Sequence, residues 1–161
     1  MTAPDVSRLA PSDAAVALRT YPRRFRAAVA LEEDEPDGVL QRPGADGLSA
    51  VDHIDRAGRA ISALAGAMRE VLTHERPTVS TTPPDPGGAT LDAALDRLTL
   101  EADALAEAVR HVDTGDWGRE GVDSATGQAA TALDLLRQAV RSGAVELRAA
   151  EEAMATARRT L

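Results

Sequence analysis

SAVDHIDRAGRAISALAGAMREVL, residues 49–72, decides the fold class. Ser49 and Asp52 stand at the spacing of a capping box, in which each side chain satisfies the other residue's backbone N–H. Behind them Ile54, Ala57, Ile61, Leu64, Met68, Val71 and Leu72 recur at the helical period, which holds to about Glu75. One face of this helix is apolar and the other polar. Such a helix is stable only if its stripe is buried against partners.

Three further segments offer the same kind of stripe. The first runs from Ser12, read as its N-cap, to Glu33, with Pro22 inside it as a kink or a restart. The third begins near Thr90 and lines up Leu91, Leu95, Leu98, Ala102, Leu105, Val109 and Val112. The fourth opens on a second capping box, Thr131 to Asp134, and carries Leu136, Val140, Gly143, Leu147, Ala150 and Met154 toward the C-terminus. The connections are rich in Pro, Gly and Thr, and no stretch reads as a strand.

Four amphipathic helices of similar length bury their stripes against one another, so the fold class is all-α, a four-helix bundle. Residues 1–161 form a single domain, with residues 1–11 expected to be flexible. The connection RPTVSTTPPDPGGAT, of about 15 residues, can reach about 45–50 Å extended. A helix of about 25 residues is about 38 Å long. That connection can therefore cross the bundle between helices 2 and 3, giving an up-down-down-up order.

Composition narrows the chemistry. Only one Phe, one Tyr and one Trp are present, so the core is built from Ala, Leu, Val and Ile. There is no Cys, which removes disulfides, thiolate metal ligands and a thiol nucleophile. Lysine is absent too, so Schiff-base chemistry through its amine is closed. A net charge of −8 argues against nucleic acid, whose phosphates need a basic face. No apolar run reaches membrane-spanning length and the N-terminus has no signal-peptide pattern, so a cytoplasmic location off the membrane is expected.

Several phrases occur in an order that carries a resemblance. They are YPRRFRAAV in helix 1, QRPGADGLSAVDHI entering helix 2, RPTV after it, DWGREG after helix 3 and TALDLLRQAV opening helix 4. In this order the chain resembles the DinB-like superfamily, which includes bacillithiol- and mycothiol-dependent S-transferases, and especially its actinobacterial branch. The resemblance implies an up-down-down-up bundle and a divalent metal held by three histidines, one early in helix 2 and two at i and i+4 on helix 4.

His53 sits at the helix 2 ligand position, but helix 4 contains no histidine. On the helical wheel Ser142 and Glu146 flank the buried stripe at about 80–120°, whereas Arg141 and Val145 point away at about 140–180°. The ligand-equivalent positions are therefore His53, Ser142 and Glu146, a set too poor for the family's metal. No cofactor is predicted. The alternative is an altered Zn or Ni site through His53 and Glu146 in a thiol-dependent transferase or isomerase.

The favoured reading is a metal-degenerate, non-catalytic binding or interaction module. A further reading places a small-molecule pocket between the helices, with His53, Asp52, Glu146 and Arg56 at its polar rim. The other histidines, His74 and His111, are read as last-turn residues complementing helix dipoles. The acidic run Glu32–Asp37 lacks a calcium-loop pattern and is read as a solvated helix end. Trp117 is read as a plug at one end of the bundle. Val145 on a polar face, together with Tyr21 and Phe25 on helix 1, suggests a homodimer through helix 1 or helix 4.

Overall fold

The computed structural model describes residues 3–32 and 38–161. Four helices carry it: α1 (Pro11–Val29), α2 (Ala50–Thr73), α3 (Leu91–Val109) and α4 (Ala132–Arg159). Both capping boxes form, Ser49 with Asp52 and Thr131 with Asp134, and Thr90 caps α3 through its side chain. Each cap stabilises its helix by about 1 kcal/mol.

The start of α1 differs from expectation. Its N-cap is Ala10, without a side-chain cap, and Pro11 rather than Ser12 sets the first turn. A proline there is pre-organised for the helix and lacks an N–H that would go unpaired anyway. The helix passes through Pro22 without a break and stops at Val29. Glu32 follows in a turn, and the remainder of the acidic run, residues 33–37, lies outside the described residues.

Side-chain contacts fix the helix directions. Arg19 meets Glu107 and Arg26 meets Thr99, so α1 and α3 are antiparallel. Arg137 donates to the Leu9 carbonyl, Tyr21 to that of Val140, and Arg158 to Glu32, so α1 and α4 are parallel. His53 meets Glu146, and Gly44, ahead of α2, packs on Ala153, so α2 and α4 are antiparallel. The order is up, down, down, up. α1 and α2 sit on one diagonal, each packed on α3 and α4.

Between the parallel helices α2 and α3 lies a charged lock. Asp55, buried in α2, accepts from Arg59 Nε at 2.7 Å and faces Arg97 Nε of α3 at 3.5 Å. Gly58 permits this approach, because a Cβ there would stand 3.1 Å from Arg97 Cγ.

Strands are present, contrary to the sequence reading. β1 (Thr78–Val79), β2 (Glu120–Asp123) and β3 (Ala129–Thr131) form a small sheet ordered β1-β2-β3, the first pair parallel and the second antiparallel. Segments this short show no two-residue alternation to read. The sheet ties RPTV to the segment before α4. Gly121 is required there, because a Cβ would come within 2.8 Å of Val71 and 2.9 Å of the Pro77 carbonyl. Arg119 also donates to the His74 carbonyl, which closes this end of the bundle. Trp117, in a 3₁₀ turn (Thr114–Gly118), packs half-buried against the core at the same end.

Tyr21 and Phe25 are core residues, 2% and 0% exposed, and do not form an outer face of α1. Their rings meet edge to face at 6.4 Å between centroids. Gly143 makes room for Tyr21 on α4, since a Cβ there would stand 2.5–2.8 Å from its ring carbons. Among the described residues no helix is long and apolar enough to cross a membrane.

Candidate functional site

The capping box that starts α2 places His53 in the first turn, where its N–H bonds to the Ser49 carbonyl. Its ring points inward and is 2% exposed as a residue. Nδ1 lies 2.7 Å from Glu146 Oε2 of α4, itself largely buried. A carboxylate only accepts, so Nδ1 carries the proton and donates. The other Glu146 oxygen, Oε1, is 3.4 Å from Arg56 Nε, one turn further along α2.

The second ring nitrogen faces a residue that the sequence reading did not single out. Asp46 Oδ2 lies 3.1 Å from His53 Nε2, out of line for a hydrogen bond, which leaves that buried nitrogen without one. Asp46 belongs to the loop QRPGADG, where Oδ1 accepts from the Leu48 N–H at 3.0 Å. Gly47 at φ +83 closes the turn, and Gly44 N–H bonds to the Leu48 carbonyl at 2.7 Å. Gly44 lies so close to α4 that a Cβ would be 2.9 Å from Ala153 Cα. The visible signal was an aspartate between glycines just ahead of a cap, a pattern that normally reads as turn chemistry alone.

Ser142 is half-buried one turn before Glu146, while Arg141 and Val145 are exposed, in the directions the helical wheel gives. Asp52, read as a pocket-rim residue, takes part in the α2 capping box. Its Oδ2 accepts from the Ser49 N–H and hydroxyl, both at 2.9 Å, so its carboxylate is engaged in capping. Arg56 does reach the site, with its side chain 46% exposed. His74 and His111 lie just outside their helices, as the cap of α2 and one residue past the cap of α3. Both are exposed beside acids one turn back, Glu70 and Glu107.

A three-histidine metal centre does not fit these residues. Glu146 is spent on Nδ1, and Nε2 faces only Asp46. The two carboxylates flank opposite edges of one ring, so they cannot converge with it on one ion. Among the described residues no group of three His, Asp or Glu side chains converges to hold a metal. What the arrangement does is join α2 to α4 through the His53–Glu146 hydrogen bond and the Glu146–Arg56 ion pair.

No protein-family model matches the chain, and no curated protein matches it in sequence. Among solved structures it resembles that of YfiT from Bacillus subtilis, with a TM-score of 0.78 at 16% identity. The match covers 99% of this chain and 93% of that one. The fold is shared. That structure is described as a probable metal-dependent hydrolase with an unusual four-helix bundle topology. At this identity the likeness extends to the bundle and does not carry an activity.

Proposed function

We propose that this chain is a metal-degenerate bundle of the DinB-like type, acting as a non-catalytic binding or interaction module. The observation that carries the reading is the position of Glu146. It stands on α4 where the resemblance calls for a metal ligand, yet it accepts from His53 Nδ1 and pairs with Arg56. At a position where the resemblance implies a histidine ligand, a glutamate here bridges two helices. The metal-dependent hydrolysis attributed to YfiT is accordingly not carried over.

The second reading, a thiol-dependent transferase or isomerase with an altered metal site, draws on one detail. His53 Nε2 is buried without a hydrogen bond, with a carboxylate oxygen 3.1 Å away. That makes two donors at most. Open catalytic zinc sites take three protein ligands.

The test restores what is missing. Replacing Ser142 and Glu146 together with histidine puts two imidazoles one turn apart beside His53. This variant is expected to bind Zn²⁺ or Ni²⁺ tightly, and His53→Ala should abolish that binding. The control pair at Arg141 and Val145, on the outer face, should bind weakly and be indifferent to His53. Tight His53-dependent binding by the unmodified chain would overturn the proposal in favour of the enzyme reading.

A further inference from the structure

The seam between α1 and α4 is the least closely packed of the four between neighbouring helices. Gly143 lets the Tyr21 ring settle against α4, and the side chains beside it are small, Ala17 on α1 and Ala144 on α4. A cleft of about 840 Å³ opens there, lined also by Val6 and Leu9 of the N-terminal segment. Arg137 holds that segment by donating to the Leu9 carbonyl at 2.9 Å. The volume falls in the range of about 300–1,000 Å³ that takes small organic ligands. His53, Asp46 and Glu146 do not line this cleft, so it is separate from the site described above.

The buried part of the lining is apolar, from Tyr21, Val140 and Leu147. Two guanidinium groups line it as well. That of Arg24 lies 5.6 Å from the centroid of the Tyr21 ring, within cation–π reach, which places it at the cleft wall. Arg148 is half-buried. Among the described residues neither has an ion-pair partner, whereas Arg19, Arg56, Arg59, Arg97 and Arg158 all do. The acids of the lining are less available to a ligand. Asp5 accepts from the Ser7 N–H at 2.9 Å, and Glu151 and Glu152 are exposed at the rim. Unpaired guanidinium groups beside an apolar wall suit a carboxylate, which they can bind through two parallel hydrogen bonds.

We propose that the α1–α4 cleft binds a small organic acid with an apolar body, its carboxylate held by Arg24 and Arg148 and its body against Tyr21 and Leu147. The proposal rests on the reading of the chain as a binding module and names the ligand class. The two fail separately, because metal binding is read at His53 between α2 and α4 and ligand binding between α1 and α4. A neutral body of the same shape loses the charge-assisted hydrogen bonds, and an ammonium in place of the carboxylate meets two like charges.

NMR titration of the full chain at neutral pH with octanoate, 1-octanol and octylamine tests this. Octanoate is expected to bind with a dissociation constant at or below about 1 mM. Octanol and octylamine should bind at least about fivefold more weakly. Arg24→Gln and Arg148→Gln should each weaken octanoate binding by at least about fivefold. Ala144→Leu, which fills the cleft without changing its charge, should weaken all three probes. Arg69→Gln, on the exposed face of α2, should leave them unchanged. The chain has one tyrosine, so nuclear Overhauser contacts from the octanoate methylenes to its ring protons locate the ligand on the unmodified chain. Octanoate that does not bind at about 5 mM, octanol that binds as well, or arginine variants that bind like the parent would each overturn the proposal. Contacts centred on Trp117 or His53 in place of Tyr21 would overturn it equally.

Discussion

Glu146 Oε2 lies 2.7 Å from His53 Nδ1 and joins the middle of α4 to the first turn of α2. The contact is buried on the histidine side and only 12% exposed at the glutamate side chain. Removing one partner strands a polar group in that environment, whereas removing both strands neither. His53→Ala and Glu146→Ala should each cost about 3 kcal/mol. The double variant should cost less than their sum by more than about 1 kcal/mol. Urea unfolding of the four proteins measures this. Strict additivity would mean that the two side chains do not act as a unit.

Gly143 is set against the ring of Tyr21, which cannot retreat because its hydroxyl donates to the Val140 carbonyl at 2.6 Å. In a helix, Gly→Ala alone is favourable by about 1 kcal/mol. Here overpacking of about 1–3 kcal/mol opposes it. Gly143→Ala is therefore expected to destabilise the fold by up to about 2 kcal/mol. Gly66 is the control: it is helical in α2, and a Cβ added there would meet nothing within 4 Å. Gly66→Ala should stabilise by about 0.5–1 kcal/mol. Equal effects at the two glycines would show that Tyr21 does not limit position 143.

Burial raises the Tyr21 phenol above its ordinary value of 10.0, with Arg24 partly opposing the shift. The folded chain thus holds this proton more tightly than the unfolded chain does. The stabilisation is fully present below the unfolded value and is lost as pH rises through the folded one. Stability should fall with pH above about 10, and Tyr21→Phe should remove part of that slope. The chain has one tyrosine, so its tyrosinate absorbance reports this group alone. Native titration at or below the unfolded midpoint would contradict the burial.

Most of the bundle is legible in the sequence because helices announce themselves locally. Capping boxes at Ser49 and Thr131 and the periodic stripes of α2, α3 and α4 depend only on neighbours along the chain. What was hidden depends on partners distant in sequence. The three strands are too short to alternate, and they exist because Gly121 lets β2 approach Val71 and Pro77. Tyr21 and Phe25 could face either way by pattern, and a gap opposite Gly143 decides it. At the site, His53 and Glu146 were readable from the helical wheel. Asp46 was not, since its approach to His53 depends on how its loop docks on Ala153. Asp52 carries a local duty as well, since its carboxylate accepts from Ser49 in the cap.

If His53 and Glu146 bridge helices instead of holding a metal ion, the unmodified chain has no metal site at His53 to fill. Elemental analysis of the untagged chain, purified without chelators and dialysed against Zn²⁺ or Ni²⁺, reads this out without any substitution. Far less than one equivalent of either metal is expected, with no rise in melting temperature on adding them. A native-state ligand at about 100 times its dissociation constant would add about 2.7 kcal/mol of stability, so a real site would show in the same experiment. One equivalent of metal, bound by the unmodified chain and lost in His53→Ala, would contradict the bridging role.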